Sequence, residues 1–455
     1  MVLHRRGTDD RSLRAWLPLA VAATPYWRAI TEQAGMRPDD VRDLAALRRI
    51  PVVRELDLLR DDPAGATAVL APTEARVQAH APRSSVREVA AGRRGRGADG
   101  GAEVLRQTYR PLRLHQAGVH GGLLVAATGS DLERMVRAGA RTAEVVGLAD
   151  DDVVVSALRC GPTLAHARVV DLALGAEVTA AHPRAGDDLA SVVAAVAALQ
   201  PSVLVVARAE AVALAEALHA DRVATTALRR VLLFGPPPDE AAREAIVGAF
   251  ALAGASVGVR AVWAPSESRT LWAECAPGTG LHTAPDLEHL EVVDPLTGAP
   301  TDGDGDLVLT TVGWHGTVLL RYRTGAWVDG LTDEPCPHCG RTVPRVVGRI
   351  DEAAWQVPFT AAGRTRVVDL RGVAAALQHA PGVADWRVEL RPPATAGGDD
   401  RLVVEVAGEP ATDATTLTDR IAAGCGVPVE VVAGADPEDV VDEIARVGGA
   451  FADRR

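Results

Sequence analysis

The chain has 455 residues, 47% hydrophobic and 24% charged. That is the make-up of a folded protein with more than one hydrophobic core, and no apolar run reaches the roughly eighteen residues needed to cross a bilayer. A formal net charge of −12 leaves no basic face for a phosphate backbone, so neither nucleic acid nor membrane is expected as a partner. All 48 basic side chains are arginine, so a step that needs the compact ammonium of a lysine has no residue here to perform it.

Met1 to Asp10 shows no apolar stretch of the secretory kind, and the cytoplasm is the expected location. Apolar residues recur at helical spacing over 17–34, and Pro38-Asp39-Asp40 signals a further short helix. Residues 1–76 are therefore read as a helical N-terminal region. Over 77–101 large apolar side chains are scarce while Arg, Ser and Gly accumulate, as in Gly92-Arg93-Arg94-Gly95-Arg96-Gly97, which predicts a mobile, solvated loop.

From 102 to 349 the pattern alternates. β-Rich runs at 123–125, 153–155, 176–179, 202–206 and 231–234 are interleaved with helical stretches at 131–146, 189–199, 210–218 and 240–252. Such alternation predicts βαβ units and a largely parallel sheet. After Pro265, strands separated by turns such as Asp302-Gly303-Asp304-Gly305 predict a β-rich subdomain of the same body. Residues 350–455 repeat a small α+β pattern, with strands at 386–390, 401–406 and 427–432 and a helix at 415–423, read as a separate C-terminal lid.

Several motifs occur in a fixed order: Trp263-Ala264-Pro265-Ser266-Glu267, Leu320-Arg321-Tyr322-Arg323-Thr324-Gly325, Cys336-x-x-Cys339-Gly340-Arg341 and Gly348-Arg349-Ile350-Asp351. With Thr24-Pro25-Tyr26-Trp27 and Leu233-Phe234-Gly235 upstream, the chain resembles the phenylacetate-CoA ligase family over nearly its whole length. The resemblance implies an α/β fold with a large adenylate-forming N-terminal domain and a small α+β lid turning on a hinge at Asp351. It further implies that a small carboxylic acid attacks Mg-ATP to give an acyl-adenylate, that CoA then displaces AMP, and that the protein is a homodimer. Both steps place charge on phosphate oxygens, so donors and a metal have to be preorganised around them.

The implied site can be checked residue by residue. Ser266 and Glu267 match the pair that meets phosphate and Mg²⁺. Gly118 and Gly121 fall in the phosphate loop, Gly235 and Trp263 beside adenine, and Tyr322, Arg323 and Thr324 in the ribose-side motif. Arg349 and Arg446 are the cations nearest to where lysine chemistry would be needed.

Against the family's Ser-Gly-Thr-Thr-Gly-Lys loop stands Ala117-Gly118-Val119-His120-Gly121-Gly122, with neither hydroxyl nor lysine. The ribose-binding carboxylate is replaced by Ala326, and Pro236-Pro237-Pro238 removes backbone donors beside adenine. Each candidate also has a bland reading: an ordinary glycine turn, a helix-start carboxylate at Glu267, a surface helix at Arg446.

Five cysteines in a chain of this kind suggest thiols or metal rather than disulfides. Cys336-Pro337-His338-Cys339 has the Cys-x2-Cys spacing that aims two thiolates at one ion. The resemblance adds Cys275 and His282, with His338 competing for the fourth position, to give a closed structural zinc set. Cys160 and Cys425 read as buried free thiols, with Cys160 alternatively in the wall of an acyl pocket. Three functions stay open: a ligase-like protein with a degraded ATP site that binds an acyl-type ligand or partner, an active acid-CoA ligase using non-standard residues, or an enzyme of the thioester step alone.

Overall fold

Pro25 divides the expected N-terminal helix into α1 (Asp10–Ala23) and α2 (Pro25–Gln33). Thr24 is the extended N-cap and proline stands in the first helical turn, where its missing N–H breaks no bond. In this computed structural model the described residues are 10–453 without 60–61, 63–64, 98, 119–121, 185–187, 296, 352–355, 371–372, 374–375, 378–379, 396–397, 409–413 and 436–450. The short helix expected at Pro38 is a single 3₁₀ turn, Pro38–Asp40. Two brief helices follow, α3 (Leu44–Leu47) and α4 (Glu55–Leu59).

The stretch expected to be a mobile loop is helical instead: α5 (Glu74–His80), α6 (Arg83–Arg96) and α7 (Gly100–Tyr109). Its few apolar residues lie on one side, where Val77, Val89, Leu105 and Tyr109 are buried in a core shared with Leu13, Trp16, Leu17 and Trp27. A narrow stripe suffices when a preformed core receives it. Composition alone did not reveal that the arginines are the outer face of these helices, Arg93 pairing with Glu74 at 3.3 Å.

β1 (Arg113–Ala117) and β2 (Leu123–Ala127) form an antiparallel pair leading into α8 (Gly129–Val146). The start of α8 is fixed by a capping box between Thr128 and Asp131. Fully buried Asp131 also accepts from His315 N–H at 2.8 Å and Gly316 N–H at 2.7 Å. Gly316 has to be glycine, because a Cβ there would stand 2.0 Å from Ala126 O.

The alternating region supplies β3 (Val153–Ser156), α9 (Leu164–Ala176), β4 (Thr179–Ala181), α10 (Ala190–Leu199), β5 (Val203–Ala207), α11 (Ala211–Ala220), β6 (Arg230–Phe234), α12 (Glu240–Leu252) and β7 (Gly258–Trp263). The strand expected at 176–179 begins only at Thr179, because α9 runs to Ala176 and Glu177 caps it in the left-handed conformation, φ 57°. Then come β8 (Trp272–Ala273), β9 (Leu281–His282), β10 (Glu288–Val293), β11 (Gly305–Thr311), β12 (Tyr322–Thr332) and β13 (Arg345–Asp351).

Together these build an eleven-stranded sheet in the order β10-β11-β12-β13-β9-β8-β7-β6-β5-β3-β4. Only the β7-β6-β5-β3-β4 side is parallel; from β7 outward the pairing is antiparallel. The parallel sheet expected of the alternating region is present as β3 to β7, and the strands after Pro265 extend it with antiparallel pairing. Parallel pairing needs long crossovers, and beyond Trp263 short turns replace the helices.

Downstream, β14 (Gln356–Ala361) and β15 (Arg364–Asp369) form a hairpin. β16 (Val383–Arg391), β17 (Arg401–Gly408), β18 (Val429–Ala435) and β19 (Phe451–Asp453) form a second sheet ordered β18-β17-β16-β19. With helix Ala414–Cys425 this part has its own core, including Phe359, Val388, Leu402, Leu417 and Ile421. No helix among the described residues is long and apolar enough to cross a membrane.

Candidate functional site

The segment between β7 and β8, Ala264 to Leu271, is held from below by an arginine that no sequence motif singles out. Arg168, on α9, is 3% exposed and donates to Ser268 O at 3.0 Å, Ala264 O at 3.1 Å and Pro265 O. Burial draws its pKa down to about 10, with the negative charges of Glu267 and Glu288 opposing. The one hint was a lone Arg near Asp171 in the apolar run His166-Ala167-Arg168-Val169-Val170.

On the other side, buried Glu288 accepts from Ser268 Oγ and Thr270 Oγ1, both at 2.8 Å, and from Trp272 Nε1. Arg269 donates to Thr317 O at 2.6 Å and lies over the Trp314 ring at 4.3 Å. Buried polar groups stay only when satisfied in this way, so the segment is fixed before any ligand arrives.

That framework presents Glu267. Its side chain is fully buried; Oε1 accepts from Tyr322 Oη at 2.8 Å and Oε2 from Ser266 Oγ at 3.1 Å. Ser266 Oγ in turn accepts from Gly118 N–H at 2.9 Å. Burial pushes the Glu267 pKa up to about 7 even though both hydroxyl donors favour the ionised form, and the charge of nearby Glu55 adds to the rise. Four of the sequence-nominated residues, Gly118, Ser266, Glu267 and Tyr322, are therefore brought together. Gly121 lies outside the described residues.

The remaining nominated residues are engaged elsewhere. Thr324 Oγ1 donates to Leu307 O at 2.9 Å inside the sheet, and Arg323 pairs with Asp306 at 3.0 Å while donating to Pro295 O at 3.1 Å. Trp263 and Ala326, 2% and 3% exposed, belong to one apolar cluster with Trp272, Leu307, Val328 and Ile350. Trp263 meets Trp272 edge to face at 5.5 Å between ring centroids. Gly235, at φ 139°, donates to Val262 O at 3.0 Å and is followed by buried Pro236 and Pro238.

Arg349 is half exposed between two carboxylates. Its N–H donates to Asp329 at 2.7 Å and its guanidinium lies 3.4 Å from Asp351 Oδ2. Asp351 closes β13 opposite Trp327. Arg446 lies outside the described residues. Of the two remaining thiols, Cys425 is buried as expected, but Cys160 is exposed, standing in the loop after β3.

Cys275, His282, Cys336 and Cys339 converge with all four ligand atoms within 4.8 Å of one another. Cys275 Sγ and Cys336 Sγ are 3.6 Å apart, and Cys339 Sγ is 3.3 Å from His282 Nε2. A tetrahedral ion with bonds of about 2.3 Å to sulfur separates its ligands by about 3.8 Å, so the donor set fits such an ion. His282 Nδ1 faces Ala273 O at 3.1 Å, which leaves Nε2 for the metal. The turn of the knuckle is closed by Gly340 N–H to Cys336 O at 2.9 Å with Gly340 at φ 70°. Next to Cys275, buried Glu274 accepts two bonds from Arg243, each 3.1 Å, and one from Gly278 N–H at 3.1 Å, fixing the loop. His338, the competitor for the fourth position, is not in the cluster.

A large mixed sheet with a separate small β-sheet downstream, joined after the Arg349-Ile350-Asp351 strand, is the fold of the adenylate-forming ligases. Among solved structures, 2-hydroxyisobutyryl-CoA ligase in its postadenylation state matches with a TM-score of 0.61 at 20% identity, over 98% of this chain and 89% of that one. The same enzyme with 2-HIB-AMP and CoA in its thioesterification state also gives 0.61, at 19% identity over 98% and 88%. The phenylacetate-coenzyme A ligase of Thermus thermophilus is 28% identical over 356 residues, 76% of this chain and 71% of that protein. No protein-family model matches. The chain thus has the fold of the adenylate-forming CoA ligases and is similar in sequence to a phenylacetate-CoA ligase.

Proposed function

We propose that the chain is an acid-CoA ligase-like protein whose nucleotide site is degraded, and that it works by binding an acyl-type ligand or a partner rather than by adenylating an acid. The observation that carries this reading is Ala326, buried in one apolar cluster with Trp263 at the position for which the resemblance implies a ribose acceptor. Each charge-assisted bond lost there removes on the order of 1.5–3 kcal/mol of nucleotide binding. The proline run after Gly235 and the engagement of Thr324 with Leu307 support the same reading.

On this reading the Cys/His cluster holds a structural zinc, closed to substrate, and fastens β8, β9 and the loop before β13. The setting is the cytoplasm, where such thiols stay reduced. Residues 350–455 act as a lid hinged at Asp351, and the oligomer is a homodimer. The test is thermal stability with and without millimolar Mg-ATP, since a ligand that binds only the native state raises its stability. No shift is expected. A second reading, an active acid-activating ligase with Arg349 or Arg446 in place of lysine, is favoured by the intact Ser266, Glu267 and Tyr322 contacts, and a clear shift with ATP supports it.

A further inference from the structure

We infer that Arg345 is the positioning residue of the Cys/His cluster: one buried guanidinium clamps both ligand-bearing loops and supplies the positive charge that a set of thiolates around an ion requires. The inference rests on the reading of that cluster as a metal site and names the side chain that assembles it.

Arg345 opens β13, which lies between β12 and β9 in the large sheet. Its backbone pairs with His282 on one side and with Thr332 on the other. The side chain is 5% exposed; Nη1 donates to Thr279 O, and Nη2 donates to Glu334 O at 3.3 Å. Thr279 stands between Cys275 and His282, and Glu334 stands just before Cys336. A single planar fork thus ties together the two loops that carry all four ligands.

Both loops are pressed closely onto β13. Thr283 donates to Pro344 O twice, through N–H at 3.1 Å and Oγ1 at 2.8 Å. Gly280, at φ 80°, turns its bare face to the strand, where a Cβ would stand 2.7 Å from Val346 O. Thr279 Oγ1 donates to Ala276 O at 2.7 Å and lies 3.5 Å from Cys275 Sγ. Moving Thr279 away from Arg345 therefore moves a ligand.

The charge of Arg345 points the same way. Among the described residues no carboxylate pairs with it, and its buried Nε has no hydrogen-bond partner. A buried charge left unpaired is costly. Three thiolates and a neutral imidazole around a divalent ion leave one net negative charge. Arg345 and Arg341 are cations whose charge acts on His282, and Arg341 also lies beside Cys339. The unpaired guanidinium is the counter-charge of the occupied cluster.

The experiment is zinc competition between the reduced, metal-stripped full chain and a chromophoric chelator, with Co²⁺ absorption spectra as a second readout. Wild type binds zinc stoichiometrically, and cobalt gives the thiolate charge-transfer bands of a tetrahedral, sulfur-rich site. Arg345→Met binds zinc roughly tenfold to a hundredfold more weakly, with altered cobalt bands, and the gap between its metal-loaded and metal-free melting midpoints narrows. Arg345→Lys, which keeps the charge but not the fork, recovers part of that loss. A folded Arg345→Met chain with wild-type zinc affinity and cobalt bands overturns the inference, even where both midpoints fall equally, because the arginine then serves the sheet alone. If that variant does not fold, wild-type zinc affinity in Arg345→Lys overturns it. A wild type that takes up neither zinc nor cobalt contradicts the metal reading itself, whereas binding unaltered in both variants contradicts only the role given to Arg345.

Discussion

The Cys/His cluster and the surroundings of Gly118 are two places on one scaffold where polar atoms come together, and they differ in what those atoms meet. At the cluster, four donors face one another with their supports in place: Ala273 O behind His282 and Arg243 behind Glu274. Around Gly118, Glu55 accepts from Gly122 N–H, and Ala326, where the resemblance implies an acceptor, lies among tryptophan and aliphatic side chains. What survives around Glu267 is the set of bonds that hold the protein itself together, above all those of Arg168 and Glu288. On the proposed reading, the groups lost are those whose only task would be to meet a nucleotide.

Three perturbations sharpen this contrast. Loss of the proposed zinc has the largest expected effect, since a structural ion contributes its binding energy to folding. Cys336→Ser, or chelation of the wild type, lowers the melting midpoint by on the order of 10 °C and abolishes one zinc per chain by elemental analysis. Full zinc in that variant, or none in the wild type, removes the cluster from the account.

Arg168→Met leaves the carbonyls of Ala264, Pro265 and Ser268 without their buried donor, and a loss of about 4 kcal/mol is expected in denaturant unfolding. A loss under 1 kcal/mol, roughly a surface substitution, shows that the segment is held in another way.

The smallest effect is on pH dependence. Glu267 has its pKa raised from 4.5 to about 7 by burial, so the folded chain binds more protons than the unfolded one within that window. Its contribution to stability is complete below pH 4.5 and is lost as pH rises to about 7, at most about 3 kcal/mol. Glu267→Gln flattens the curve over that window. An unchanged slope means that Glu267 is ionised in the fold.

Much of the scaffold was legible because it rests on local pattern. The strands at 203–207 and 230–234 and helices α8 and α12 follow from runs and periodicity that need no partner to be recognised. The helices at 74–109 were not legible, because their sparse apolar stripe means something only once Trp16 and Trp27 stand opposite. Two ligands of the cluster, Cys336 and Cys339, were readable from the Cys-x2-Cys spacing, whereas Cys275 and His282 were reached only through the family resemblance. Glu55 and Arg168 were not. Each acts through a long-range contact, Glu55 on Gly122 and Arg168 on Ser268, and sequence separation hides such contacts.

The central claim is that the fold is kept while adenylation is not. Its most direct test is pyrophosphate release from Mg-ATP by the purified full chain, measured against a panel of small aliphatic and aryl carboxylic acids with CoA present. Release no faster than in the absence of acid, and no acyl-CoA product, are expected. Acid-dependent pyrophosphate release that disappears in Glu267→Gln would contradict the claim and establish a working ligase.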